Sequence, residues 1–295
     1  MDKLEKALRK AREQREARLA GESGNGAPLP APETNAPAPA DKLPPDAPAE
    51  RSTAASRAKD GQPIIYNQTR VVRPSAEVLR EMRVIAVERS GLSADAFRIL
   101  RTKLLQLLAR GGQRTLAITS ANPGEGKTLI AVNLALSIAL DVKQTVLLVD
   151  LDLRTPSVHH YLGLKPEKGL GDHLLHDVPL AECLIHPGFD RLVVLPVGRP
   201  LDSSSEMLAA PRMQSLSQEL RNRYPNRIVI YDTRALFTSD DTMAFLPNIE
   251  ASLLVIKEGA TQAEDVRRAI GLLADNTTVL GTVLNQSSDR SFVRT

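Results

Sequence analysis

The stretch Thr119-Ser-Ala-Asn-Pro-Gly-Glu-Gly-Lys-Thr128 determines how the rest of this chain is interpreted. It follows an apolar run predicted as a strand and opens an apolar segment predicted as a helix. Glycines at this spacing let backbone N–H groups surround phosphate oxygens, and the helix N-terminus adds a partial positive charge. In such a loop Lys127 reaches the outer phosphates and the Thr128 hydroxyl binds Mg²⁺. The predicted ATP-binding residues are Pro123, Gly124, Glu125, Gly126, Lys127, Thr128 and Leu129.

Carboxylates follow two other apolar runs. Asp150 and Asp152 end the run Val146-Leu-Leu-Val, and Asp232 ends the run Ile228-Val-Ile-Tyr. Alternate residues of a strand point the same way, so Asp150 and Asp152 are expected at one sheet edge. Such carboxylates suit Mg²⁺ coordination and acceptance of a proton from an attacking hydroxyl. We therefore predict Lys127, Asp150, Asp152 and Asp232 as catalytic residues, and Thr128, Asp150 and Asp232 as Mg²⁺ ligands.

The pattern beyond Gly111-Gly112 is strand, turn and helix, repeated. Such alternation predicts an α/β fold of the P-loop NTPase type, a mostly parallel sheet with helices on both faces. The predicted strands are Thr115–Ser120, Thr145–Asp150, Leu192–Val197, Arg227–Asp232, Ser252–Lys257 and Thr278–Leu284. The predicted helices are Ser75–Met82, Ser93–Ala109 with Ser93 as its N-cap, Lys127–Leu140, Ser205–Arg223 and Gln262–Ala274.

The composition changes along the chain. Residues 1–20 read as a charged helix, and residues 21–60 as a disordered linker, because eight of the twenty prolines fall between Pro28 and Pro48. An extended and helical lead-in (61–92), with a stretch at Ile64–Tyr66, precedes the predicted P-loop domain (93–286). A short tail (287–295) follows it.

Bulk properties narrow the class of protein. A net charge of +3 without basic clusters and interleaved aromatics argues against nucleic acid as a partner. The single cysteine, Cys183, excludes an intramolecular disulfide and is interpreted as core packing. No apolar stretch approaches the roughly 20 residues that span a bilayer, and no apolar signal core is seen. We therefore expect a cytoplasmic protein.

Two groups of polar residues stay ambiguous on pattern alone. Asp95, Arg98 and Arg101 flank the apolar face of the helix predicted from Ser93, so they form either a solvated face or a contact between subunits. His159-His160 and the pair His173 and His176 could suggest a metal, yet no Cys or carboxylate cluster completes a ligand set.

With these motifs in place, residues 83–286 resemble the bacterial tyrosine kinases (BY-kinases) of capsule and exopolysaccharide loci. The matching strings span most of the predicted domain in the family's order. They are Ala96-Phe-Arg-Ile-Leu-Arg-Thr102, Ser120-Ala-Asn-Pro-Gly-Glu-Gly-Lys-Thr128, Leu148-Val-Asp-Leu-Asp-Leu-Arg154, Gly169-Leu-Gly-Asp-His-Leu174, Leu195-Pro-Val-Gly-Arg-Pro200, Ser205-Glu-Met-Leu208 and Gly281-Thr-Val-Leu-Asn285.

The resemblance implies autophosphorylation on tyrosine, in trans, within a ring-like homo-oligomer. The implied cofactors are ATP and Mg²⁺, and the implied partner is a membrane polysaccharide co-polymerase that holds the protein at the inner face of the plasma membrane. By position, Asp95, Arg98 and Arg101 would make the subunit contact, with Asp95 where the family usually has Glu. Asn285 would contact the adenine.

Two departures from the family pattern bear on the chemistry. The family usually continues Asp-Thr/Ser-Pro-Pro after its third motif, whereas Arg234 and Ala235 replace both prolines here. Its kinases usually end in a tyrosine cluster, whereas residues 286–295 contain no tyrosine. In-chain acceptors are then limited to Tyr66, Tyr161, Tyr224 and Tyr231, and we expect Tyr66 because it follows the linker.

Three functions are compatible with these observations. The first is an ATP-dependent protein-tyrosine kinase of exopolysaccharide synthesis. The second is an ATP-binding assembly switch that docks on a membrane partner without strong catalysis. The third is a positioning ATPase like those of plasmid partition and cell division, but those carry a further lysine where this chain has Asn122.

Overall fold

The structure is a computed structural model that describes residues 70–88, 90–141, 144–202 and 204–288. These residues lie in one compact unit. The predicted helix over 1–20, the linker over 21–60 and the stretch at Ile64–Tyr66 fall outside the described residues. Most of the predicted tail does as well.

A single sheet organises the described part of the chain. Its strands run in the order β1-β4-β5-β3-β6-β2-β7-β8. Neighbours are parallel except for β4 and β5, which pair antiparallel. The strands are β1 (Arg70–Val71), β2 (Thr115–Ser120), β3 (Thr145–Asp150), β4 (Ile185–His186), β5 (Leu192–Leu195), β6 (Arg227–Asp232), β7 (Ala251–Lys257) and β8 (Thr278–Asn285). The predicted mostly parallel sheet is thus confirmed.

Helices cover both faces of this sheet, also as predicted. They are α1 (Ala76–Glu81), α2 (Leu92–Gly111), α3 (Lys127–Ala139), α4 (Val158–Tyr161), α5 (Leu170–His176), α6 (Leu180–Cys183), α7 (Ser204–Ala209), α8 (Pro211–Asn222), α9 (Asp241–Phe245) and α10 (Ala263–Ala274). A 3₁₀ turn at Leu246–Asn248 follows α9. Along β6, Ile228 and Ile230 pack with α2 and α3, whereas Val229 and Tyr231 pack with α8 and α10 on the other face.

Two helix predictions were wrong in detail. Ser93 is not an N-cap, because α2 begins one residue earlier with Gly91 at its N-cap (φ 130°) and Asp95 N–H bonded to the Gly91 carbonyl. The single helix predicted over Ser205–Arg223 is two helices, α7 and α8. Proline has no N–H to continue a preceding helix but suits a first turn, so Pro211 ends α7 and opens α8.

The segment before α2 belongs to the core of the domain. Val84 and Ala86 are buried, and Asn133 of α3 fastens the chain between them. The Asn133 Oδ1 accepts hydrogen bonds from the N–H groups of Ile85 (2.8 Å) and Ala86 (2.9 Å). Its Nδ2 donates to the Arg83 carbonyl (3.1 Å). The lead-in is therefore attached to the helix that starts at the phosphate-binding motif.

Candidate nucleotide and metal site

The loop between β2 and α3 has the backbone that its glycines predict. Gly124 and Gly126 adopt left-handed conformations, with φ of 76° and 93°. Gly126 is the N-cap of α3, and a Cβ there would overlap the side-chain nitrogen of Asn285. The first N–H groups of α3 thus remain available to a ligand, as a phosphate-binding loop requires. Pro123 has no N–H, so its contribution to a bound nucleotide would be shape alone.

Side chains hold this loop in shape without any ligand. The Glu125 carboxylate, itself buried, accepts hydrogen bonds from the Asn122 N–H (3.1 Å) and from the Thr261 hydroxyl (2.6 Å). The Asn285 Nδ2 donates to the Glu125 carbonyl at 2.9 Å, and the Asn122 Nδ2 donates to Asp265 at 3.1 Å. The loop is therefore braced against β8 and α10. Asn285 makes this internal bond, and its contact with adenine stays a prediction.

The three predicted carboxylates converge at the carboxyl ends of adjacent strands. Asp150 and Asp232 are paired in register between β3 and β6, and both are fully buried. The Asp150 Oδ1 accepts from the Asp152 N–H (3.2 Å), and its Oδ2 accepts from the N–H groups of Ser157 and Val158 (3.0 Å each). Asp150 is thus fixed in place by the backbone.

Asp232 is the unusual member of the group. Neither of its buried oxygens has a donor at good hydrogen-bond geometry among the described residues, although the Thr128 hydroxyl is near enough to affect its pKa. Burial raises the pKa of Asp232 to about 7, although the charge of Lys127 and the hydroxyl of Thr128 lower it. The pKa of Asp150 is also well above its usual value, through burial and then through the charge of Asp232. A buried carboxylate whose oxygens lack hydrogen-bond donors, such as Asp232, fits a cation, because a cation compensates its lost hydration.

The donor set is suited to Mg²⁺ bound together with phosphate. Among the described residues no group of three or more His, Cys, Asp or Glu side chains could enclose a metal ion. Mg²⁺ is usually held by one or two carboxylates, with substrate phosphates and water as the remaining ligands. Asp232, Asp150 and the Thr128 hydroxyl, which accepts from Ser157 at 3.1 Å, fit that pattern.

Asp152 lies at the edge of the three carboxylates and is hydrogen-bonded through one of its two oxygens. Its Oδ1 accepts from the backbone N–H and the hydroxyl of Thr155, both at 3.0 Å. The Arg234 guanidinium lies 3.8 Å from the same oxygen. The Oδ2 accepts no hydrogen bond from the part of the chain that the structure describes. The role of Asp152 as a proton acceptor stays a prediction.

The residues predicted for a subunit contact bond within the chain. Arg98 pairs with Asp95 along α2, and the Arg101 Nη1 donates to the Ser137 carbonyl at 2.9 Å. Their role between subunits stays a prediction. Cys183 is buried as predicted, and burial raises the pKa of its thiol to about 11.

Sequence reasoning missed a polar cluster beside Asp152. Arg234 had been noted only as a departure from a family pattern, and Ser204 and Asp241 were not singled out. The fully buried Asp241 accepts from the Ser204 hydroxyl (2.7 Å) and lies 3.8 Å from Arg234 and 3.7 Å from Arg154. These residues come from four separate loops or helix starts, so no local spacing indicates them.

Comparison with known proteins agrees with this geometry. No family model matches the chain. The tyrosine-protein kinase YwqD of Bacillus subtilis is 32% identical over 207 residues, which cover 70% of this chain and 86% of YwqD. The succinoglycan biosynthesis transport protein ExoP of Rhizobium meliloti is 32% identical over 212 residues, but the chain spans only 27% of that longer relative.

A solved structure extends the match to the fold. The kinase domain of the Escherichia coli tyrosine kinase Etk superposes with a TM-score of 0.63 at 26% identity, covering 77% of this chain and 93% of that domain. The match to YwqD is above 30% identity and extends over 86% of the length of that protein, which is enough to assign the family. The chain belongs to the bacterial tyrosine-protein kinase (BY-kinase) family.

Proposed function

We propose that this chain is a Mg-ATP-dependent protein-tyrosine kinase that acts in exopolysaccharide or capsule synthesis. The observation that carries the proposal is the Asp232 carboxylate, buried without donors beside Asp150, Lys127 and Thr128 at the end of a phosphate-binding loop. A buried unpaired carboxylate costs folding free energy, so its presence is best explained by a cation that binds there. Family membership supplies the type of reaction.

In the proposed reaction the N–H groups from Gly124 to Leu129 and the Lys127 ammonium bind the phosphates. Mg²⁺, when bound, would neutralise charge on the transferring phosphoryl group. The tyrosine hydroxyl oxygen forms a bond to the γ-phosphorus, the bond from that phosphorus to the β–γ bridging oxygen breaks, and ADP leaves. The phenolic proton passes to the Asp152 Oδ2, the oxygen that accepts no hydrogen bond in the described structure.

The tyrosines differ in their access to such a site. Tyr231 is fully buried with its hydroxyl 3.2 Å from Ser217 Oγ. The Tyr224 ring stacks under the Arg227 guanidinium at the amino end of β6, whereas Asp232 lies at the carboxyl end of that strand. Tyr161 is half-buried, and its pKa is raised by burial and by the charge of Asp232. Tyr66 falls outside the described residues, and it remains our predicted acceptor.

The positioning ATPase is the less suitable alternative. Those enzymes carry a lysine at the position of Asn122, and here the Asn122 Nδ2 is bonded to Asp265 of the same chain.

The partner, the assembly and the location of the protein are proposals from the family. A membrane polysaccharide co-polymerase would be the partner, a homo-oligomer the working form, and the inner face of the plasma membrane the location. Among the described residues no helix is long and apolar enough to cross a membrane.

The deciding experiment incubates purified protein with Mg-ATP and measures phosphotyrosine and ADP release together. Lys127→Met should lose both signals with its fold intact, because Lys127 contacts phosphate and not the core. Lys165→Met, at an exposed site after α4, is the matched control and should behave as the parent. Peptide mapping identifies the modified tyrosine. ADP release without phosphotyrosine on this chain or a membrane partner would reject the kinase in favour of the ATP-binding switch.

A further inference from the structure

Arg234 stands two residues after Asp232, where the family usually has proline, and its backbone is firmly anchored. Its carbonyl accepts hydrogen bonds from the hydroxyls of Thr119 (3.0 Å), Thr242 (2.7 Å) and Thr233 (3.4 Å). The loop then continues along the phosphate-binding loop, with the Leu236 N–H bonded to the Ser120 carbonyl at 2.9 Å. These bonds fix the position of the Arg234 backbone, from which its side chain extends.

The Arg234 side chain reaches two carboxylates at once. Its Nη1 lies 3.8 Å from the Asp152 Oδ1 and 3.8 Å from the Asp241 Oδ2. That nitrogen is buried and makes no hydrogen bond within the described structure, and the side chain is only 17% exposed. A desolvated guanidinium interacts strongly with nearby opposite charges because water screens little of the field. The two carboxylates are therefore what hold it.

The same contact constrains Asp152. Three carboxylates crowd this sheet edge and repel one another, as the effect of Asp152 on both Asp150 and Asp232 indicates. Lys127 supplies a positive charge on the Asp232 side of the group. Arg234 supplies one on the Asp152 side, at the oxygen that Thr155 already binds. The contacts of Asp152 with Thr155 and Arg234 are thus all made by Oδ1, and Oδ2 accepts no hydrogen bond from the described residues.

We propose that Arg234 is a positioning residue for phosphoryl transfer, which, tied to the buried Asp241, holds the Asp152 carboxylate in the orientation that leaves its Oδ2 for the tyrosine hydroxyl. The inference rests on the proposed kinase function. It also gives a reason for an arginine at position 234, where the family usually has proline.

The first test compares the kinetics of Arg234→Gln and Arg234→Lys with the parent. Arg234→Gln should lower kcat roughly 10- to 100-fold, because a misplaced catalytic group costs rate of that order. The KM and Kd for Mg-ATP should stay within about twofold, since the bound phosphates lie on α3 and not on Arg234. Arg234→Lys should recover much of kcat. A kcat within about twofold of the parent in Arg234→Gln would overturn the proposal.

Two variants separate positioning from structural support. Arg221→Gln removes a more exposed arginine that pairs with Glu250 at the amino ends of the strands, away from Asp152, so it should lower thermal stability without changing kcat. The double variant of Arg234→Gln with Asp241→Asn removes the buried Asp241 charge together with the arginine beside it, so it should fold and remain slow. A double variant with parental kcat would contradict the proposal.

A crystallographic comparison decides the matter even where activity does not. Parent and Arg234→Gln structures with Mg-ADP should differ in the Asp152 carboxylate, which should rotate away from Thr155 in the variant. An unmoved carboxylate would refute the positioning role whatever the rates are. Absence of phosphotyrosine from both the parent and a membrane partner would instead refute the proposed function, and the carboxylate comparison would still report on Arg234.

Discussion

Replacing Asp232 by Asn should stabilise the metal-free protein while abolishing Mg-ATP binding. The pKa of Asp232 rises from 3.8 to about 7 on folding, mainly through burial. Each pKa unit corresponds to about 1.4 kcal/mol, so ionised Asp232 costs the folded state about 4 kcal/mol. Asn has the same shape and does not ionise. Because the charge of Asp232 also raises the pKa of Asp150, its removal should relieve that residue as well.

The sign of the pH dependence makes this a sharp test. The folded protein holds the Asp232 proton more tightly than the unfolded chain, so stability falls as pH rises from about 4 to about 7. The variant should therefore gain about 2 kcal/mol at pH 5 and about 4 kcal/mol at pH 8. For a domain of this size the pH 8 gain corresponds to a Tm increase of roughly 10 °C.

Urea unfolding in EDTA at the two pH values measures the free energies directly. Asp202→Asn, at an exposed position, is the matched control and should change stability by less than about 0.5 kcal/mol. With Mg-ATP present the order should reverse, because only the parent gains stability from the ligand. A variant that is destabilised in EDTA, or a gain that does not grow with pH, would refute the account of Asp232 as a buried cation ligand.

Further predictions concern the core, the thiol and the assembly. Asn133→Ala should lower the free energy of unfolding by about 2–4 kcal/mol, since it leaves buried backbone N–H groups without acceptors; denaturant titration measures it. Cys183 should stay unreactive toward a thiol reagent at pH 8 until the protein unfolds, because burial raises its pKa to about 11. Arg98→Ala with Arg101→Ala should lower the oligomer mass in light scattering with Mg-ATP, if α2 forms the subunit contact. An unchanged mass would mean that both residues belong to a solvated face.

The central strands were predictable from sequence because local pattern and buried environment agree there. Strands β2, β3 and β6 have the predicted bounds, since each is an apolar run buried on both faces and ended by a polar residue. The four-residue helices α4 and α6 were not predicted, because so few residues carry no periodicity. They are fixed by tertiary contacts, as when Asp150 binds the N–H of Val158.

The site shows the same division between local and non-local information. The positions of Lys127, Asp150 and Asp232 follow from motifs on strands and helix starts, and the structure brings them together. The braces of the loop do not follow from any motif, since Thr261 meets Glu125 across 136 positions of the chain. The sequence identifies Arg234 only as a departure from the family pattern. Its partner Asp241 stands out only through its burial, which the structure shows.

The order of strands in the sheet has a consequence for synthesis of the protein. Within the described sheet, β2, which carries the phosphate-binding loop, pairs with β6 and β7, and both are translated long after it. At 5–20 residues per second, the apolar strand waits roughly 10 s without a neighbour on the ribosome. Mg-ATP is not expected to stabilise β2 during that interval, because the proposed Mg²⁺ ligand Asp232 is synthesised only with β6. The apolar strand that carries the phosphate-binding loop is therefore exposed to aggregation through most of the synthesis of the domain.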